Sequence, residues 1–428
     1  MTFIQKHLRA VIAVPAVSLV LALQAGGAPV TTVPWNGHTG AVSFTYDDAR
    51  TSQIPYLIPQ LDSLGIKATF FISIQNIGDF NARRAQWIQA ARNGQELTNH
   101  TYFHENVNGS NGDSVTKVVK AMADTLRKVD STVKSLTFAY PNCNLTANAT
   151  AKNGVSAENF MARSCANPTL NWGTQPSDWM AIPGEILGPT SASTAVTRIN
   201  TAKTNNRWYV TIVHDVTPTS PDQYSMTPAN NRTMLDAAIS AGVWIDTYER
   251  VGSYYRAHFT MDTAKAVVNG NGWKIQWVAP HAKLPKSLLL KVKLDQATFG
   301  DSAVVVQNNA YVLRQADSSY VVDFMKLQMD VYPKGTVAVA PSVRFRNSSL
   351  QARVTGRIVR LKGLPEGTYT LALHSVTGVL VEKGRFRTGG GAEQAVSLHT
   401  APAAGLYQIT LTPGFSGNAR KVPVTILP

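Results

Sequence analysis

The sequence predicts an α/β fold, a parallel sheet covered by helices, followed by two small all-β modules. Three observations carry this. From about residue 41 to 245, short apolar runs alternate with segments of helical spacing. The runs are near-continuously apolar, as in strands buried on both faces. About seven such units fall within some 220 residues, a count that suits a closed barrel better than an open sheet, although periodicity alone does not separate the two. After about residue 257 no helix-length pattern stands out, and strand-like runs with turn signals roughly every 8 to 12 residues take over.

In order along the chain, 41–46 (AVSFTY) reads as a buried strand. Helical spacing follows over 54–64 and Gly65 closes it. A second strand is expected at 67–73 (KATFFIS), a helix at 82–92 stopped by Asn93-Gly94, and a short third strand at 95–99. The segment 114–129 has helical spacing, with Asp113 as its expected N-cap. Strands follow at 135–140 and 208–213, then a helix at 230–241 and a last strand at 243–245. Beyond them, 271–280, 287–294, 302–306 and 320–332 read as strands of a small β-sandwich. From about residue 342 a second β module carries the turn Leu364-Pro365-Glu366-Gly367, strands at 369–374 and 407–411, and the run Gly389-Gly390-Gly391.

The chain has 428 residues, 44% of them hydrophobic, enough for a large core and about two or three domains. Lys6 and Arg9 precede an apolar stretch at 11–23, and Ala25-Gly26-Gly27-Ala28 offers small residues for cleavage. This is the pattern of a bacterial-type secretory signal over 1–28, with a buried N-terminal helix as the alternative. No other run approaches the roughly 20 apolar residues of a membrane span. The mature chain is therefore expected to be secreted or at the cell surface, with no transmembrane segment. The expected division is 1–28 signal, 29–258 α/β domain, 259–340 β-sandwich and 341–428 basic β module. Export permits a disulfide between Cys143 and Cys165, and buried free thiols fit as well.

The net charge is +14, and the last 88 residues hold eleven Lys and Arg against three Asp and Glu. These arginines alternate with apolar residues in strand-like segments. With no basic helix, zinc-finger spacing or RNA-binding aromatic signature, the basic balance reads as a solvated face and not as a nucleic-acid site.

In a parallel α/β fold, chemistry gathers at the carboxyl ends of the strands. After 41–46 come Asp47 and Asp48. After 95–99 come His100 and His104. After 135–139 come Tyr140, Pro141 and Asn142, and after 208–213 comes His214. Two adjacent aspartates after a strand are commonly only a turn or cap, and a lone histidine is commonly a satisfied polar residue. Their gathering on one rim is what gives them weight. A His-x-x-x-His pair on a helical turn would point both rings to one side. With Asp48 it makes a set of two histidines and one carboxylate, which leaves a position open for water, as in catalytic zinc sites.

These residues resemble the polysaccharide deacetylases, carbohydrate esterase family 4, with its NodB homology domain. Phe44-Thr45-Tyr46-Asp47-Asp48 is similar to the family's first motif, Ala68-Thr69-Phe70-Phe71 to its second strand, His100-Thr101-Tyr102-Phe103-His104 to its H-[ST]-x-x-H motif, and Ile212-Val213-His214 to its last motif. The resemblance spans roughly 40–258. It implies a distorted (β/α) barrel and a divalent metal, zinc first and cobalt or another ion next, on Asp48, His100 and His104. It implies Asp47 as the general base acting on water and His214 as the general acid. The Asn142 amide would support the oxyanion, and Tyr140 and Ile212 would contact substrate. The family's third motif, Arg-x-Pro-Tyr, aligns here with Ala139-Tyr140-Pro141-Asn142, so its arginine is missing, and Arg163 is the expected substitute. Ser177-Asp178-Trp179 resembles a remnant of the fourth motif, giving Asp178 as partner of the base or acid and Trp179 as a groove wall.

The implied activity is a secreted metal-dependent deacetylase of a polysaccharide: acetylxylan, or an N-acetylglucosamine polymer such as chitin or peptidoglycan. The competing class is a non-catalytic carbohydrate-binding or adhesion protein that retains the barrel. The last 80 or so residues loosely resemble the sorting tails of cargo exported by the gliding-type (type IX) route, on Leu364-Pro365-Glu366-Gly367-Thr368-Tyr369 and Gly405-Leu406-Tyr407. That implies a secretion-machinery partner, with a carbohydrate-binding or spacer module as the alternative.

Overall fold

Seven parallel strands close on themselves in the first half of the chain. The computed structural model describes residues 28–333 and 351–426, apart from 76–78, 108–110, 144–148, 167–168, 302, 309, 313, 356, 365–366, 376–379, 389–392, 400–401, 403–404 and 414–419. Nearly all of the expected leader, the boundary at 341 and the Gly389-Gly390-Gly391 run lie outside the described residues.

In chain order the elements are β1 (Val30–Thr32), β2 (Ala41–Asp47), α1 (Ile58–Leu64), β3 (Thr69–Ile72), α2 (Arg84–Arg92), β4 (Glu96–Asn99), α3 (Gly112–Arg127), β5 (Thr137–Ala139), α4 (Ala149–Ser156), β6 (Met161–Cys165), β7 (Leu170–Asn171), β8 (Ile182–Ile186), α5 (Ala192–Thr204), β9 (Arg207–Val213), α6 (Pro228–Ala241), β10 (Trp244–Ile245) and α7 (Tyr248–Met261). Parallel pairing runs β2–β3–β4–β5–β6–β8–β9, and β9 pairs back along β2 from Ala41 to Tyr46. The sheet is therefore a closed barrel, as the unit count suggested. It is uneven: β4 and β5 meet at one pair, Asn99 and Phe138. β3 joins β2 only over Thr45–Asp47, and β10 takes Ala41 and Val42 instead.

Alternation along β2 explains both its burial and its function. Val42, Phe44 and Tyr46 face outward onto Leu57, Leu61 and Met234 of the helical layer. Ser43, Thr45 and Asp47 take the opposite face, where Ser43 accepts from the Trp208 indole and Thr45 meets Thr211. A strand apolar at every second position and polar between them thus builds a packed outer layer around a polar barrel mouth.

Several boundaries differ from expectation. Helix α3 is capped by the Asn111 side chain, which accepts from Ser114 N, while Asp113 sits in the first turn. The helix expected over 54–64 opens with a π turn, Gln53–Leu57. Strand β8 (IPGEI) and helices α5 and α7 had no clear periodic signal. α5 is rich in Thr, and α7 is buried around much of its circumference, which erases an apolar stripe.

Past α7 come β11 (Lys265–Asn269), β12 (Gly272–Gln276), β13 (Leu289–Leu294), β14 (Val304–Gln307), β15 (Ala310–Val312), β16 (Tyr320–Asp323) and β17 (Gln328–Tyr332). They form an antiparallel sheet of order β11-β12-β17-β14-β15 and a second of order β1-β13-β16. The single strand expected at 320–332 is two, separated by a turn at Phe324–Lys326 in which Asp323 caps Met325 N. Residues 351–426 form a three-stranded and a four-stranded antiparallel sheet.

Candidate metal and catalytic site

The carboxyl ends of β2, β4, β5, β6 and β9 open on one cleft of about 490 Å³. Asp47, Asp48, His100, His104, Tyr140, Asn142, Arg163, Ile212 and His214 all line it.

Backbone conformation separates the two aspartates. Asp47 ends β2, and Asp48 and Ala49 take left-handed φ values of 74° and 55°, a region that Asp tolerates better than most residues. The two carboxylates therefore diverge. His100 and His104 are brought together by a loop and not by the helical turn that their spacing suggested. Thr101 (φ 63°) and His104 (φ 57°) are left-handed. Asn99 Oδ1 accepts from Thr101 N, and Thr101 Oγ1 accepts from Glu105 N.

Asp48 Oδ1 lies 3.6 Å from His100 Nε2 and 3.6 Å from His104 Nε2. The ligand atoms of the three residues all fall within 4.8 Å of one another. Among the described residues, Asp48 Oδ1 is buried without a hydrogen-bond partner. His100 Nδ1 lies 2.9 Å from the Ala139 carbonyl, which only accepts, so Nδ1 carries the hydrogen and Nε2 keeps its lone pair. Burial lowers the pKa of His100, and burial together with His100 lowers that of His104 to about 4. Both rings are therefore neutral at neutral pH. Two ligands about 2.1 Å from a tetrahedral ion stand about 3.4 Å apart, so the observed spacing fits a divalent cation. An orphaned carboxylate oxygen aimed at two neutral imidazoles is a donor set that such an ion would complete.

Beside this set, Arg163 grips Asp47 with both nitrogens, Nη1 at 2.8 Å from Oδ1 and Nη2 at 2.5 Å from Oδ2. Nη1 also donates to Thr45 Oγ1 at 2.7 Å, and the guanidinium lies over the Phe71 ring. Burial opposes the charge on Asp47, but Arg163, with His100 and His214 nearby, holds its carboxyl well below the usual carboxylate range. Arg163 pairs in register with Ala139 of the neighbouring strand. Ala139 is the aligned place of the missing arginine, so the guanidinium enters at the same level from one strand over. Small neighbours make room: a Cβ on Gly184 would stand 3.0 Å from Arg163 Cδ and 3.0 Å from Ile212 Cγ1.

His214 Nε2 lies 4.0 Å from Asp48 Oδ2. Asn142 and Cys143 are both left-handed. The chain there is tied to the end of β6 by a disulfide between Cys143 and Cys165, whose Cα atoms are 5.4 Å apart. Asp178 and Trp179 stand outside the cleft. Asp178 pairs with Lys152 and caps Met180 N. Trp179 packs under Arg256, 5.0 Å away, and against Tyr255 and Phe259.

Sequence reasoning missed Arg50, Ile186 and Tyr224, which also line the cleft. Arg50 was within reach, two residues after Asp48, to which it pairs at 3.0 Å. Ile186 and Tyr224 carried no signal, because β8 was not recognised and Tyr224 lies in a loop.

Residues 36–157 match the family model of polysaccharide deacetylase. A protein of Arthroderma benhamiae named "Probable peptidoglycan-N-acetylglucosamine deacetylase" is 27% identical over 107 residues, 24% of this chain and 24% of that protein. The chain thus matches about a quarter of that relative's length. Among solved structures, a family 4 acetyl xylan esterase from Clostridium thermocellum in complex with a cobalt ion is 20% identical, with 49% of this chain and 89% of that chain covered and a TM-score of 0.36. A chitin deacetylase from Colletotrichum lindemuthianum is 16% identical, with 53% and 92% covered and a TM-score of 0.38.

Proposed function

Because residues 36–157 match the family model of polysaccharide deacetylase, we propose that this chain belongs to that family and hydrolyses acetyl groups from a carbohydrate polymer. One observation carries the reading: the Asp48-His100-His104 set, the Asp47-Arg163 pair and His214 face a single cleft.

Asp48, His100 and His104 would hold a divalent cation, zinc first and cobalt or another ion as alternatives. When bound, the ion supplies the Lewis acidity that polarises an acetyl carbonyl and lets so weak a base as Asp47 take a proton from water. Arg163 keeps Asp47 ionised and fixes both of its oxygens. His214 stands on the other side of Asp48 and delivers a proton to the departing oxygen or nitrogen. The Asn142 amide, held by the left-handed turn and the disulfide, supports the developing oxyanion. Ile212 and Ile186 form the apolar floor for the acetyl methyl. Tyr140, whose hydroxyl is buried without a hydrogen-bond partner among the described residues, offers a hydrogen bond to a sugar. Asp178, whose charge acts on Tyr140, and Trp179 do not line the cleft and are given no direct role in this reaction.

Acetylxylan and an N-acetylglucosamine polymer, chitin or peptidoglycan, are the two substrate classes. An exported enzyme reaching such a polymer, with the last module engaging secretion machinery, is the setting that the leader and tail suggest. A non-catalytic binding protein would have little reason to keep Asp47 clamped beside intact ligands. The test is acetate release from acetylxylan and from chitin oligomers, with and without chelator, for the wild type and Asp47→Ala. Metal-dependent release abolished in Asp47→Ala is expected. Absence of release from both polymers overturns the enzyme reading.

A further inference from the structure

Strands β2 and β9 run side by side, and their last paired residues are Tyr46 and Val213. The next residue on each strand is Asp47 on one and His214 on the other. Past that rung the ladder stops and the two chains turn apart. What joins them beyond it is a side chain. Gln53 is fully buried, at the start of the π turn Gln53–Leu57. Its Nε2 donates to the Asp47 carbonyl at 2.8 Å and to the His214 carbonyl at 2.6 Å. One amide nitrogen, with two hydrogens in a fixed plane, thus supplies the rung that the backbone no longer provides.

The neighbouring side chains make the same crossing. Ser52 Oγ donates to Asp215 Oδ1 at 2.5 Å. Arg50 pairs with Asp48 at 3.0 Å and reaches Asp215 at 3.9 Å. Arg50 and Ser52 sit at a half-exposed rim, whereas Gln53 is enclosed, so the distance between the two strand ends is set at Gln53. A π turn adds one residue to a helical turn and re-aims its side chains, a device frequent at functional sites. Here it aims a buried amide at two catalytic carbonyls.

We propose that Gln53 is a positioning residue that fixes His214 relative to Asp47 and Asp48. The proposal rests on the reading of Asp47 as base and His214 as acid. The other two metal ligands are held independently, His100 by Ala139 and His104 by its own loop, so loss of Gln53 displaces the acid without dismantling the ligand set.

The test uses the full chain carrying Gln53→Leu, which keeps the volume and removes both donors, beside Gln53→Asn, whose shorter amide cannot span both carbonyls. On whichever polymer the wild type deacetylates, kcat should fall about 10- to 100-fold, as expected for a displacement of roughly 1 Å. KM and zinc affinity by calorimetry should stay within a few-fold. In nitrogen-labelled protein the His214 ring resonances should move, while those of His100 and His104 hold. A variant with wild-type kcat, or one whose lost kcat follows an equal loss of zinc affinity, overturns the proposal. If the wild type releases no acetate, the functional reading fails, and the ring resonances still decide. A His214 signal unchanged in both variants means that Gln53 positions nothing.

Discussion

Arg163 is the residue on which the site's charge balance turns. It is 1% exposed, and so is Asp48 beside its partner Asp47, at 2%. Two donors meet two carboxylate oxygens while the flat face rests on Phe71, a geometry that lysine does not reproduce. Arg163→Lys should fold and lose about 10- to 100-fold in kcat, because one ammonium cannot hold both oxygens. Arg163→Met leaves a buried carboxylate without its partner and should cost about 3–5 kcal/mol. Denaturant titration beside the acetate assay checks both. A methionine variant as stable as the wild type would mean that Asp47 is not an ion pair in the fold. The sequence pointed to this residue only through the family resemblance. The resemblance implies an arginine that Ala139 does not supply, and Arg163 is the expected substitute; its clamp on Asp47 shows where the guanidinium comes from. Asp178 was not legible, since a three-residue string says nothing of which way a side chain turns. Nor was Gln53, because hydrogen bonds to backbone leave no pattern.

At the scale of elements, β3, β4, β5 and α7 meet at the amino end of the barrel around Glu96. Its carboxylate accepts from Thr69 Oγ1 at 2.7 Å, Thr137 Oγ1 at 2.6 Å and the backbone N–H of Glu249 at 2.9 Å. Burial, and then the charge of Glu249, raise its pKa to about 7 despite these three bonds. The unfolded chain releases that proton near 4.5. Between those pH values the folded protein binds the proton and the unfolded chain does not, so stability falls as pH rises through the window and levels off above it. The whole shift amounts to about 3 kcal/mol. Glu96→Gln should remove the slope, so the variant gains on the wild type from pH 5 to pH 8 in thermal melts. Parallel curves for the two proteins would refute the assignment. The strands in this network were read from their apolar runs. α7 was not, because a helix buried around most of its surface loses the stripe by which helices are recognised.

At the scale of the molecule, the expected boundary after residue 258 and the one at 341 differ in kind. Trp35, Tyr254 and Tyr255 of the first half share one apolar cluster with Trp277, Leu284 and Leu290. β1 pairs with β13, Asp262 accepts from Thr32 N at 2.7 Å, and Lys283 pairs with Glu158 at 3.4 Å. Among the described residues, the core within 351–426 draws instead only on side chains from Val354 to Leu411. A chain ending at residue 340 should therefore keep the main melting transition and the acetate activity. One ending at residue 262 strips the cover from Tyr254, Tyr255 and Met261, and should melt roughly 10 °C or more lower, at about 2–4 °C per kcal/mol, or aggregate. Calorimetry of both against the full chain decides. If the 262 chain melts with the full chain, the shared cluster contributes little, and the β-sandwich is an appendage. If the 340 chain loses the main transition, the last module supports the barrel and does not fold as an independent unit.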